Sequence, residues 1–350
     1  MSQGFLLNLV QQRLDVYCDL KRSELTEISD DLIPIIDYTQ DLLAGGKRFR
    51  ALFAFWAWAG YQVVEVDTNK LNIETPVVSV AAALEMFHAA ALVHDDLLDQ
   101  SDLRRGKPAI HKRFETLHQS SRFAGSAERF GVAGSVLVGD MMLSWSSELF
   151  GDALLHSPGE AIEASCRTEF SKMRFEVMAG QYLDVLEENA APLRSKSEAV
   201  ARANKVMLYK TAKYSLEAPL LIGAALGGAH ESELKSLSNF GIPLGLAFQL
   251  RDDLLDAFGD PENMGVRPAL ERDHLGIDGG HPLALVLLDD HVGDDELRLV
   301  GAVPGAGPGR QPAQQHRRGL QRRLLASELA LQSLEIVRGE QVEVVVDDPQ

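Results

Sequence analysis

Residues Pro76 to Val93 form the longest apolar stretch of the chain, interrupted only by Glu85 and His88, and they run directly into His94-Asp95-Asp96-Leu97-Leu98-Asp99. Few folds accept such a segment. Ionisable residues are expensive inside a bilayer, so the two interruptions favour a helix buried in protein over a membrane span. Pro76 suits the first turn of a helix, where its missing N–H is not needed. The stretch therefore reads as a long core helix, Pro76 to Gln100, whose final turn is crowded with carboxylates.

Helical patterning extends over most of the chain. Leu6, Leu9, Val10, Leu14 and Tyr17 recur at helical spacing, which predicts an opening helix within 1–30. A second helix starts at Pro34 and breaks at Gly45-Gly46, and an apolar, Trp-containing helix covers 47–60. A turn-rich linker, Asp67 to Asn72, precedes the long helix. Ser101 to Arg129 is polar and reads as irregular. Helices resume over 131–150, 159–188, 196–227 and 231–258, and few segments alternate as strands do. With aromatics at 7% and Ala and Leu abundant, the composition also favours helices. The predicted fold class is all-α.

The formal net charge of −17 argues against a nucleic-acid partner, which needs a basic face. Two distant cysteines, Cys18 and Cys166, give no disulfide framework and fit a reducing cytoplasmic compartment. The apolar run Phe5 to Val10 has neither a preceding positive segment nor a cleavage site, so no signal peptide is read there.

Asp95 and Asp99 are four residues apart and share one helical face. Carboxylates this close repel one another unless a cation sits among them, and magnesium, a hard ion, prefers carboxylate and phosphate oxygens with water. Asp252-Asp253-Leu254-Leu255-Asp256 repeats the spacing on another helix. One such cluster would most simply be a solvated face. Two, each following an apolar run, suggest opposed walls that hold magnesium around a diphosphate. Cations stand nearby in the sequence. Gly45-Gly46-Lys47-Arg48-Phe49-Arg50 combines a tight turn with a helix start suited to phosphate. Arg104-Arg105-Gly106-Lys107-Pro108 follows the first cluster, while Lys210-Thr211 and Gln249 offer further polar groups.

In this order, GGKRFR (45–50), EMFHAAALVHDDLLDQSDLRRGKPAIH (85–111), GD (139–140), GQYLD (180–184), KTAKYS (210–215) and FQLRDDLLDAFGDP (248–261) resemble the trans-prenyl diphosphate synthase family. The resemblance implies an isoprenoid synthase fold, a bundle of long helices around a deep central cavity, usually dimeric. It implies a catalytic core over 1–262. Asp95, Asp96, Asp99, Asp252, Asp253 and Asp256 would hold Mg2+, three ions with bound diphosphate. Arg104 would contact the allylic diphosphate, and Lys47, Arg50, His88 and Arg105 would bind isopentenyl diphosphate. Lys210, Thr211 and Gln249 would stabilise the leaving diphosphate and the adjacent cation. Ala90 and Ala91, just upstream of Asp95, are small, and Phe87 and Met86 stand further up as a floor. That pattern implies a geranylgeranyl product.

The sequence departs from the family after Pro261. Lysines expected near Val266 and Leu275 are missing, 261–282 is rich in Gly, Pro, Asp and Arg, and 301–322 lacks a packable apolar face and reads as disordered, with a last helix over 323–338. A shifted reading frame after about residue 265 and a divergent member with weakened function both account for this. Two other functions fit the resemblance less well: a class I terpene cyclase, and a non-catalytic or impaired partner subunit of a prenyl synthase.

Overall fold

In the computed structural model the apolar stretch becomes helix α4 (Pro76–Leu98), and every residue from Val77 to Phe87 is buried. A helix buried all round must be enclosed by others. Around it pack α1 (Gln3–Ile28), α2 (Ile33–Leu43), α3 (Phe49–Gly60) and α6 (Ala127–Leu154), with α6 the broadest neighbour. The structure describes residues 3–62, 70–155, 159–190 and 193–258. Among them α4 is the one helix long and apolar enough to cross a bilayer, and 78% of its apolar window is buried inside the fold. That is the position of a core helix.

The helical periods of the N-terminal half hold. Leu6, Val10 and Leu14 are fully buried, with Tyr17 at 2% exposure, so the predicted stripe is the face α1 turns inward. Pro34 lies in the first turn of α2. The third helix starts at Phe49 rather than at 47, because Arg48 has a left-handed backbone (φ 48°) that an α-helix cannot continue.

The reading of Ser101 to Arg129 as irregular is corrected. Strands β1 (Leu103–Arg104) and β2 (Lys107–Pro108) pair antiparallel, Leu103 opposite Pro108 and Arg104 opposite Lys107. Arg105 (φ 51°) and Gly106 (φ 75°) make the tight left-handed turn between them. Helix α5 (Ile110–Ser120) follows, burying Ile110, His111, Phe114 and His118 against α6. Two of those four inward positions are histidines, which hides the apolar stripe from a hydropathy reading.

The single helix expected over 196–227 is also corrected. After α7 (Glu160–Ala190), a 3-10 turn (Lys196–Glu198) leads into α8 (Ala199–Val206), then a π-helical segment (Met207–Glu217) and α9 (Ala218–Leu226). Pro219, in the first turn of α9, has no N–H to return to the preceding turn and its ring crowds the carbonyl there. Widening the helix before it avoids that conflict. α10 (Glu231–Phe258) closes the described chain.

These residues form two compact units. Of the first, 3–62, 70–155, 159–185 and 208–245 are described. Of the second, 186–190, 193–207 and 246–258 are described; there Met207 and Leu250 are buried together with Val200, Ala203 and Leu246 against them, and Arg202 pairs with Glu187 at 2.9 Å. The expected core boundary at 262, the segments 261–282, 301–322 and 323–338, and positions Val266 and Leu275 lie outside the described residues.

The first unit's core should be sensitive to loss of volume. Phe150 stacks on Phe170 with ring centroids 4.0 Å apart and is 2% exposed. Phe150→Ala is expected to lower unfolding free energy by about 3–5 kcal/mol, measured by urea denaturation; a loss below ~1 kcal/mol would show that the core relaxes around the gap.

Candidate functional site

The aspartates expected to bind metal lie at the end of α4, and each has a different environment. Asp96 is almost fully buried at 3% side-chain exposure, Asp95 is at 24%, and Asp99 is exposed at the helix C-cap. Arg104, projecting from β1, donates its Nε–H to Asp96 Oδ1 at 2.8 Å and directs a second N–H to the same oxygen. Its Nη2 also lies 3.8 Å from Asp95 Oδ2. Burial pulls the Arg104 guanidinium down, but Asp96, Asp95 and Asp99 outweigh that and hold it above its ordinary range.

Lys210 approaches from the π segment. Its Nζ lies 2.8 Å from Asp184 Oδ2 and 3.2 Å from Asp95 Oδ1. Burial pulls this ammonium down as well, and Asp184 and Asp95 more than restore it, so Lys210 stays charged. Its position depends on a close approach of backbones. A β-carbon on Gly180 of α7 would sit 2.6 Å from the Tyr209 carbonyl carbon, so only glycine lets the π segment lie against α7. Asp184 follows Gly180 by one turn of that helix. Thr211 is half-buried beside Lys210.

The basic residues gather on the same unit. Gly45 (φ 88°) and Gly46 (φ 98°) shape the loop that presents the exposed Lys47. The Arg105 guanidinium passes 3.2 Å from where a β-carbon on Gly46 would be. Arg50 lies over the Tyr214 ring, 4.4 Å from its centroid, and donates to Ser215 Oγ at 2.7 Å. The Tyr214 hydroxyl meets His88 Nδ1 at 3.1 Å. A concave site between α2 and α4 is lined by Gly45, Arg48, Glu85, His88 and Arg105. Burial, with Arg50, Arg105 and Arg104 nearby, pushes His88 well below its usual range, leaving a neutral ring. Burial likewise pushes the Tyr214 phenol up to about 12, so it keeps its proton.

Asp95, Asp96, Arg104 and Lys210 are thus brought together, as are Arg50, Arg105 and His88. Gln249 lies on α10 in the second unit, half-buried. The side chains of Asp252, Asp253 and Asp256 lie outside the described residues. Among the described residues no three His, Cys, Asp or Glu side chains converge as a metal-binding set.

The site nevertheless suits polar ligands. Eight buried side-chain polar atoms lack a hydrogen bond among the described residues, and three of them belong here: Arg48 Nη1, Arg50 Nε and Asp95 Oδ1. Folded proteins rarely leave such atoms unpaired. Asp95 Oδ1 has the Lys210 charge at 3.2 Å without hydrogen-bond alignment. An unaligned carboxylate oxygen is the type of donor that a hard divalent cation takes. Reasoning from sequence gives no role to Asp184, Tyr214, Ser215 or Glu85, and groups Arg48 with the phosphate-facing cations beside it. Asp184 and Tyr214 stand inside recognisable stretches, GQYLD and KTAKYS, and that was their only signal.

Comparison with known proteins identifies the family. The polyprenyl synthetase family profile matches residues 34–268, ending close to Val266, where the expected lysine pattern fails. Geranylgeranyl pyrophosphate synthase 11, chloroplastic, of Arabidopsis thaliana is 33% identical over 228 residues, covering 64% of this chain and 56% of the relative. The chain therefore spans little more than half the length of such plant relatives. Farnesyl diphosphate synthase of Bacillus subtilis is 30% identical over 311 residues, covering 84% of this chain and 88% of that one. A crystal structure of geranylgeranyl pyrophosphate synthase from Corynebacterium glutamicum, complexed with isoprenyl diphosphate and magnesium, superposes with a TM-score of 0.70 at 28% identity, covering 98% of this chain and 95% of that one.

The neutral, buried His88 has a consequence for stability. Its folded pKa lies well below 6.5, so the unfolded chain takes up the proton first as pH falls. The stability this ring contributes is present above about pH 6.5 and is lost below it, on the order of 1 kcal/mol per pH unit. Glu85, pushed up by burial, acts in the opposite sense. The comparison is therefore between the parent chain and His88→Gln, denatured at about pH 7 and about pH 5. The variant should lose less stability between the two; an equal loss would mean that His88 is not the group responsible.

Proposed function

Because the chain belongs to the polyprenyl synthetase family, we propose that it condenses isopentenyl diphosphate with an allylic diphosphate and so lengthens a trans-prenyl chain by one isoprene unit. One observation carries this reading. The carboxylate end of α4, braced by Arg104 and Lys210, lies on the same compact unit as the cationic group of Arg50, Arg105 and neutral His88. Two diphosphates of different role need two such neighbouring sites.

Magnesium, held by Asp95 and Asp99, would supply charge neutralisation for the allylic diphosphate and so favour ionisation. The residues of the chain do the rest. Asp96 holds Arg104 so that its remaining N–H groups can point to allylic diphosphate oxygens. Lys210, kept charged by Asp184, donates to the oxygen that gains charge as the C–O bond breaks. The Thr211 hydroxyl and Gln249 are proposed to stabilise that departing group and the allylic cation. Lys47, Arg50 and Arg105 bind the diphosphate of isopentenyl diphosphate, and His88 adds a hydrogen bond without adding charge. The isopentenyl double bond attacks the cation, a C–C bond forms, and the proton lost from the adjacent carbon goes to the released diphosphate.

The finer proposals are three magnesium ions, with Asp252, Asp253 and Asp256 completing the ligand set, a homodimer, a geranylgeranyl product and a cytoplasmic location. For the product, the support is that Ala91 is half-buried on α4 while Phe87, further up, is wedged by Phe170 and Tyr214 with ring centroids 6.5 and 5.8 Å away. A floor packed in this way does not yield to a growing chain.

Incubation with magnesium, isopentenyl diphosphate and each of dimethylallyl, geranyl and farnesyl diphosphate tests the reading. Chain-lengthened diphosphate is expected. A cyclic hydrocarbon would make the protein a terpene cyclase, and absence of product without a related synthase would make it a partner subunit. In the active protein Lys210→Met should lower kcat by roughly 100-fold or more, read in single-turnover assays; a change below about threefold would remove Lys210 from the leaving-group role. Ala91→Phe should shorten the main product to farnesyl diphosphate on chromatography, and an unchanged product would place the floor elsewhere.

A further inference from the structure

The loop between α2 and α3 carries Lys47 outward and the first turn of α3 carries Arg50 toward Tyr214, yet the cation between them turns the other way. Arg48 is 6% exposed, and its guanidinium donates to the carbonyl of Leu43, the last residue of α2, at 2.7 Å and to Gln11 Oε1 on α1. The Leu43 carbonyl is one of those a helix C-terminus leaves without an internal partner. The same side chain therefore caps α2, anchors to α1 and fixes the first turn of α3.

We infer that Arg48 is a positioning residue: its inward guanidinium, gripped by Gln11 and Leu43, locks the Gly45–Arg48 loop so that Lys47 and Arg50 meet the diphosphate of isopentenyl diphosphate. The inference rests on the elongation reading above. Its physical basis is conformational. At φ 48° Arg48 is a non-glycine residue in the left-handed region, following Gly45 and Gly46 at φ 88° and 98°. Such a backbone persists only where the surroundings over-determine it. The two side-chain hydrogen bonds supply that determination from one side. From the other, the buried Glu85 carboxylate accepts Ala51 N–H at 3.3 Å, pinning the first turn of α3. Releasing Arg48 would let the loop return to right-handed backbone and turn Lys47 and Arg50 off their aim. The family profile begins at residue 34, so Gln11 lies in a helix that it does not cover.

The test is steady-state kinetics of the full-length chain, varying each substrate with the other saturating. Arg48→Ala should raise KM for isopentenyl diphosphate about tenfold, the loss of hydrogen bonds from a charged group, while kcat and the KM for the allylic diphosphate stay within about twofold. Gln11→Ala should move the same KM in the same direction by less, and the double variant should be no worse than Arg48→Ala alone, as expected of coupled neighbours. Equal rises in both KM values, or a fall in melting temperature with neither KM changed, would overturn the inference. If Arg48→Ala does not fold, Gln11→Ala still decides the matter. Calorimetric titration with isopentenyl diphosphate alone separates the two levels of the argument. Wild-type binding that is weakened in Gln11→Ala supports the clamp even where no chain is elongated, and unaltered binding refutes it.

Discussion

An α-helix carries partial negative charge at its C-terminus, and α4 adds Asp95, Asp96 and Asp99 at that same end. The arrangement is unfavourable twice over, and most of the site exists to relieve it. Arg104 enters from a strand of two residues and Lys210 from an 11-residue π segment. Neither is a common way to present a side chain, yet each delivers a cation to a carboxylate that the buried body of α4 cannot move away from. Asp184 then holds Lys210 in place, and Gly180 allows the backbone contact that brings it within reach.

The same constraint gives the site two characters. Around Asp95 charges of both signs alternate, with Arg104 and Lys210 set against Asp95, Asp96 and Asp184. Around His88 the positive groups outnumber the single buried acid, Glu85, and burial, reinforced by those charges, keeps the imidazole neutral. That imbalance stands ready for an anion. Buried arginine atoms without hydrogen bonds, Arg48 Nη1 and Arg50 Nε, lie on this side, and the unaligned carboxylate oxygen, Asp95 Oδ1, lies on the other.

Much of the fold was legible because it depends on spacing. The α1 stripe and the core nature of α4 follow from where apolar residues recur, and the aspartate pair follows from a separation of four. What stayed hidden had no spacing to show. α5 turns two histidines inward, which a hydropathy pattern counts as polar. The π segment follows from local backbone conflict near Pro219, not from a repeat. The inward turn of Arg48 could not be told from the outward turn of Lys47 next to it, since both are cations after glycines. Asp184 stands in GQYLD, a stretch whose family likeness does not reveal that its carboxylate holds Lys210. For Asp252, Asp253 and Asp256 the sequence motif stands alone, since their side chains lie outside the described residues.

One helix serves here as both structural keystone and, in the elongation reading, molecular ruler. Met86 is fully buried and Phe87 is 2% exposed at the centre of the fold. Trimming either to admit a longer hydrocarbon opens a void in the buried core, with a loss of roughly 2–5 kcal/mol. A lineage drifting toward longer products would have to start with thermal reserve or refill the space from α6 or α7. Product size and heat tolerance would then be antagonistic traits under selection, and a directed-evolution campaign on this scaffold would do well to stabilise first and lengthen afterwards.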